Sequence, residues 1–122
     1  MGYIETNGIK FFNKIFDGRV YKVGSPNTDS NLGYITEFRD PDMLTTIINN
    51  LQLTISGHFN SVDDTDISYE ECLAYITPSG VEFYDAGRDK IIATVPLQDI
   101  YDLAVAWRNF LIQPPLNGTA AN

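Results

Sequence analysis

The chain is short of the residues that most often carry chemistry. Its 122 residues include one cysteine, Cys72, and one histidine, His58, too few ligands for a zinc site of the Cys/His kind. A single thiol cannot staple a secreted domain, and the opening MGYIETNGIK lacks the basic segment and apolar run of a secretory signal. The expected location is therefore the cytoplasm. No apolar run is long enough to cross a bilayer, so no membrane role is expected. Basic residues are scarce as well: eight Lys and Arg stand against sixteen Asp and Glu, for a formal charge of −8. Affinity for a phosphate backbone comes from Lys and Arg, so nucleic acid is not an expected partner. An acidic surface instead speeds encounter with a basic protein and selects its orientation.

What is present suffices for a folded domain. With 43% hydrophobic and 12% aromatic residues, the chain can bury a core without disulfides or metal. Residues 1–116 are read as one domain and 117–122 as a polar tail. The strongest pattern is Val95 to Ile112, where Leu97, Ile100, Tyr101, Ala104, Trp107 and Leu111 follow the spacing of one helix face and Leu103 and Phe110 widen it. Asp99 and Asp102 lie early and Arg108 late, as the helix dipole favours. Pro114 and Pro115 stop the helix.

Earlier in the chain, Tyr3-Ile4-Glu5-Thr6 and Ile9-Lys10-Phe11-Phe12 flank Asn7-Gly8, which predicts a hairpin with a primed turn. Asn13 to Phe16 continues the apolar run as strand or helical turn. Asp17-Gly18 is a second turn, followed by a half-buried strand over Arg19 to Val23. Gly24 to Gly33 reads as a loop and Tyr34 to Phe38 as a strand. Asp40-Pro41-Asp42 has the cap, the first-turn proline and the acid of a helix start, and Met43, Leu44, Ile47, Ile48 and Leu51 form its buried stripe. Leu53 to Ser56 alternates like a strand. Three strands then follow, Cys72 to Thr77, Val81 to Asp85 and Lys90 to Val95, joined by tight turns into a meander.

Between these parts, SVDDTDISYEE holds five carboxylates, Asp63, Asp64, Asp66, Glu70 and Glu71, with no basic residue among them. An EF-hand begun at Asp64 would need Gly where Tyr69 stands and Glu where Tyr75 stands, so the calcium motif fails. Close carboxylates can also act as acid and base or hold magnesium, but nothing beside them supplies a phosphate loop or an oxyanion hole. The run is either a solvated loop or a surface for a basic partner, with Tyr69 as the residue type that anchors such a contact. A Cys-His pair can serve as nucleophile and base. Cys72, however, opens an apolar strand, where a free cysteine acts as a small hydrophobe. Met1-Gly2 with Thr6, and Asn117-Gly118-Thr119, outline lipidation and glycosylation signals. Bulky Tyr3 argues against the first and the missing secretory signal against the second.

The strand pair Ala74-Tyr75-Ile76-Thr77-Pro78-Ser79-Gly80-Val81-Glu82-Phe83-Tyr84, then Val95-Pro96-Leu97 and Trp107-Arg108-Asn109-Phe110-Leu111, resembles the small immunity proteins that bacteria encode beside polymorphic or contact-dependent toxins. The resemblance covers roughly a third of the chain and rests on packing motifs. It implies a small, acidic, cytoplasmic protein without enzymatic activity that neutralises one toxin domain by covering an essential surface. Neither the barstar pattern nor that of the SUKH group is present.

The expected architecture is α+β, an antiparallel sheet of about five strands with two main helices, the C-terminal one packed on the sheet. The expected function is neutralisation of a basic cognate toxin, without cofactor or metal, through Asp63, Asp64, Asp66, Tyr69, Glu70 and Glu71. The alternative is a small-ligand-binding domain or small enzyme with a pocket that carries no motif. A structural or regulatory subunit is a third class, and the oligomeric state is open.

Overall fold

The computed structural model describes residues 2–25, 34–70, 72–85 and 87–119. One helical turn, α1 (Tyr3–Thr6), precedes a hairpin of β1 (Lys10–Phe16) and β2 (Arg19–Ser25). A 3-10 turn at Tyr34–Glu37 leads into α2 (Pro41–Ile55), and a second at Phe59–Ser61 follows it. The meander β3 (Leu73–Thr77), β4 (Gly80–Tyr84) and β5 (Ile91–Val95) then runs into α3 (Leu97–Leu111).

The α+β class stands, but there is no single sheet. The strands form two antiparallel sheets, β1-β2 and β3-β4-β5. The outer edge of β3 is occupied by the stretch 65–69, where Ile67 N donates to Ala74 O at 2.9 Å and Ile76 N to Thr65 O at 2.9 Å. A backbone edge saturated in this way has no donors or acceptors left for the hairpin. The hairpin instead packs one face against α3 and the 34–38 stretch.

Other local expectations also change. Asn7-Gly8 ends α1 rather than turning a hairpin: Gly8 has φ 64°, and Asn7 Nδ2 and N both donate to Tyr3 O, at 2.9 and 3.1 Å. The positive φ that suits a primed turn suits a helix exit equally. The primed turn lies at Asp17 (φ 53°) and Gly18 (φ 74°), which brings Phe16 opposite Arg19. Within the expected strand Tyr34 to Phe38, Tyr34–Glu37 is a 3-10 turn rather than extended. Its consecutive Tyr34, Ile35 and Thr36 are all buried, which no two-faced strand allows. Leu53 to Ile55 prolongs α2, with Thr54 buried and its hydroxyl donating to Asn50 O at 2.9 Å. Burial of Thr54 and continuation of the helix hydrogen bonds, such as Ser56 N to Gln52 O at 3.0 Å, outweigh the weak preference of β-branched residues for strands. Met43 leaves the expected stripe and is 50% exposed.

The core sits where α2, α3, β3 and β4 meet. Leu44, Leu51, Ala74, Ile76, Val81, Phe83, Ile100, Leu103, Trp107 and Leu111 are all buried there. The main neighbour of α3 is α2, with a lighter contact to β4. Arg108 of α3 also donates from Nε to Thr45 Oγ1 of α2 at 2.6 Å. Trp107 joins three regions, because its Nε1 donates to Phe38 O at 2.8 Å while Phe11 of β1 lies 5.2 Å from its ring.

Lys22 is buried on the inner face of the hairpin. Its ammonium donates to Asn13 Oδ1 at 3.1 Å and lies 4.3 Å from the centre of the Phe110 ring. An aromatic face and an amide oxygen solvate the charge only in part. Burial accordingly pulls the Lys22 pKa below its ordinary value.

Candidate functional site

The helix start written in Asp40-Pro41-Asp42 forms as expected. Asp40 is extended, and its carboxylate accepts from Asp42 N at 2.9 Å. From this cap, Met43, Thr46, Ile47 and Asn50 recur at three- and four-residue spacing along one face of α2. They form the first wall of a groove of about 600 Å³ whose other lining residues are Phe38, Asp40, Asp42, Asp64, Asp66, Ile67 and Ser68.

The second wall is the acidic stretch itself, held in shape by its own side chains. Asp64 Oδ1 accepts from Asp66 N at 3.0 Å, and Asp66 Oδ1 accepts from Ser68 N at 2.9 Å. These are two successive side-chain turns of the kind Asp favours. The Ser68 hydroxyl accepts from Ala74 N and donates to Ala74 O, which fixes the wall to β3. Asn50 Nδ2 donates to Asp64 O at 3.4 Å across the groove, tying the two walls together. Phe38, Ile47 and Ile67 are buried and give the groove an apolar base. Exposed Met43 stands at its edge.

The charged residues of the groove's lining are all acidic. Asp40 and Asp42 are at the positive end of the α2 dipole, where a negative charge is favourably placed. Hydrogen bonds from Ser68 hold the Asp66 carboxyl below the usual carboxylate range, with Arg88 adding to the effect. Four carboxylates around an apolar base are complementary in chemistry to a cation with a hydrocarbon stem, the shape of a Lys or Arg side chain.

The six residues expected at the site divide. Asp64 and Asp66 line the groove, and Asp63 and Glu70 are exposed outside its lining. Tyr69 is half-buried, with its ring 5.0 Å from that of Phe38, so it supports the base from behind. Glu71 lies outside the described residues. Sequence reasoning treated Asp40 and Asp42 only as capping residues and overlooked Met43, Thr46 and Asn50 as a wall. The signal available was the polar Asp42, Thr46 and Asn50 along one side of an otherwise apolar helix.

The groove's polar side chains are carboxylates, amides and hydroxyls. Among the described residues no group of three or more His, Cys, Asp or Glu is placed to hold a metal ion. His58 is exposed, while Cys72 is half-buried and burial raises its thiol pKa, the opposite of what activates a nucleophile. No helix of the described residues is long and apolar enough to cross a membrane. Comparison with protein-family models, curated proteins and solved structures finds no match to this chain.

Proposed function

We propose that the protein is a non-catalytic cytoplasmic inhibitor that captures a basic surface of a cytotoxic protein partner, as an immunity protein does. The observation that carries this reading is the groove, in which Asp40, Asp42, Asp64 and Asp66 surround Phe38, Ile47 and Ile67. A Lys or Arg from the partner places its charge among the carboxylates and its methylenes on the apolar base. The resemblance of the C-terminal half to bacterial immunity proteins supports the same reading.

The test is capture of the partner from the native host, followed by association rates for wild type, Asp64→Asn/Asp66→Asn and Asp63→Asn/Glu70→Gln. The Asn side chains can still accept the turn hydrogen bonds, so the walls are retained while the charge is removed. Groove neutralisation should slow association and flatten its salt dependence more than neutralising the exposed pair does. Equal rates for all three proteins would remove the groove from the interface.

The size of the groove favours a second reading, since about 600 Å³ falls within the range of small-molecule sites. A small organic cation such as a polyamine matches its charge. Calorimetric titration with diamines and polyamines decides this case, and an absence of heat removes it.

A further inference from the structure

The hairpin has the opposite character from the groove. Strands β1 and β2 with their turn carry Lys10, Lys14, Arg19 and Lys22, half of the basic residues in the chain, against one acid, Asp17. Register puts Phe12, Lys14 and Phe16 on one face, with Val23, Tyr21 and Arg19 opposite them. Lys14 and Arg19 thus flank Phe16 directly, one along the strand and one across it. Phe12, Ile15 and Phe16 are 45%, 76% and 67% exposed. Single exposed apolar residues are ordinary, but Phe12 and Phe16 share one face and Ile15 projects from the other, so the far half of the hairpin leaves apolar surface wet on both faces.

We infer that the tip of this hairpin docks into the acidic groove of a second copy of the chain, with Phe16 on the apolar base and Lys14 and Arg19 among Asp42, Asp64 and Asp66. Complementarity is chemical at each point: an exposed aromatic meets an apolar base, and two cations meet carboxylates that have no cation among the groove's lining residues. The hairpin cannot serve its own groove. Phe11 and Lys22 anchor it against α3, and Phe16 lies about 20 Å along the strand from Lys10. The middle of the hairpin nevertheless adjoins the rim of the groove, because Arg39, which donates to Lys22 O midway along β2, lies between Phe38 and Asp40 of the lining. With donor and receptor side by side, two copies can exchange hairpins about a two-fold axis, and the contact closes on itself instead of growing into a filament.

The inference rests on the groove being a receptor for basic side chains, and it adds a form of regulation. Each copy masks the other's groove, and a basic partner has to displace a hairpin to enter. Failure of the two ideas is distinguishable, since self-association is measured on the pure protein without any partner.

The experiment is sedimentation of the full chain over a range of concentrations at low and high salt. Wild type should pass from monomer to dimer, with the dissociation constant rising as salt is added. Lys14→Glu/Phe16→Ser on the hairpin and Asp42→Asn/Asp66→Asn in the groove should each weaken the dimer by about tenfold or more. Circular dichroism checks their folding, and Lys14→Gln alone is the milder hairpin variant. Mixing the hairpin variant with the groove variant should give a heterodimer that keeps one intact contact of the two, tighter than either variant alone and weaker than wild type. A wild type that is monomeric throughout overturns the inference. So does a dimer that survives both variants, or a mixture that gains nothing over its components.

Discussion

Trp107 is the side chain on which helix, hairpin and groove converge. It is fully buried, packs between Phe11 and Phe110, and its indole N–H satisfies the carbonyl of Phe38, whose ring lies at the base of the groove. Trp107→Ala should destabilise the fold by about 3–5 kcal/mol in chemical denaturation. Trp107→Phe keeps much of the packing but leaves a buried carbonyl without its donor, a loss of about 1–3 kcal/mol. Tyr34 is the reverse case. Its ring packs on Phe38 and Phe83, yet its buried hydroxyl has no partner among the described residues. Tyr34→Phe should therefore leave stability unchanged or raise it, and a clear loss would show that the hydroxyl is satisfied in solution. Lys22 gives a pH-dependent test. Its folded pKa lies below the ordinary value of 10.5, so the unfolded chain binds the extra proton between those two values, and stability rises with pH across that window. The gain from Lys22→Met, read by urea denaturation, should be full at neutral pH and shrink as the pH approaches 10.5.

Among the elements, the start of α2 is the one whose sequence and structure agree most closely, and it also builds the groove. Asp40→Ala removes the side-chain acceptor for Asp42 N and should cost about 1 kcal/mol in thermal or chemical unfolding. A neutral result would place the cap elsewhere. The helices and the meander were legible because each side chain there faces one environment with a regular period. Helix α3 shows this in Ile100, Leu103, Ala104, Trp107 and Leu111, and β3 in Ala74 and Ile76. Tyr34 to Phe38 and Leu53 to Ile55 were misread for a shared reason. Both are short apolar runs that a strand or a helix can accommodate, and only the surroundings decide: a buried corner for the first and the continuing hydrogen-bond ladder of α2 for the second. Asn7-Gly8 and Asp17-Gly18 carry equivalent turn chemistry. The turn forms at the second because residues on both sides of it are extended.

For the molecule as a whole, charge sets the working range. The folded pKa of Asp66 is depressed, so the stability it contributes is complete above the ordinary value of 3.8 and is lost as the pH falls through the lowered one. Burial raises the pKa of Tyr3 and Tyr34. Their contribution is complete below 10.0 and disappears as the pH climbs through their folded values. Denaturation across pH should therefore show a plateau bounded by an acidic and an alkaline decline. A curve that stayed flat above 10 would mean that these tyrosines are reached by water in the folded state.

The sequence alone determined the class of the molecule, the two long helices, the C-terminal meander and the concentration of carboxylates before β3. These depend on composition and on the period with which apolar residues recur, which are properties of neighbours in the chain. Only the tertiary structure decided that the strands separate into two sheets, since the 65–69 stretch folds back along the edge of β3 where the sequence shows only a run of charge. It also decided which acids form a site. Asp40 and Asp42 meet Asp64 and Asp66 because α2 and the acidic stretch pack over Phe38, Ile47 and Ile67, whereas Asp63 and Glu70, closer in sequence to Asp64 and Asp66, lie outside the groove. Proximity along the chain orders charges by number, but packing orders them by the surface they share.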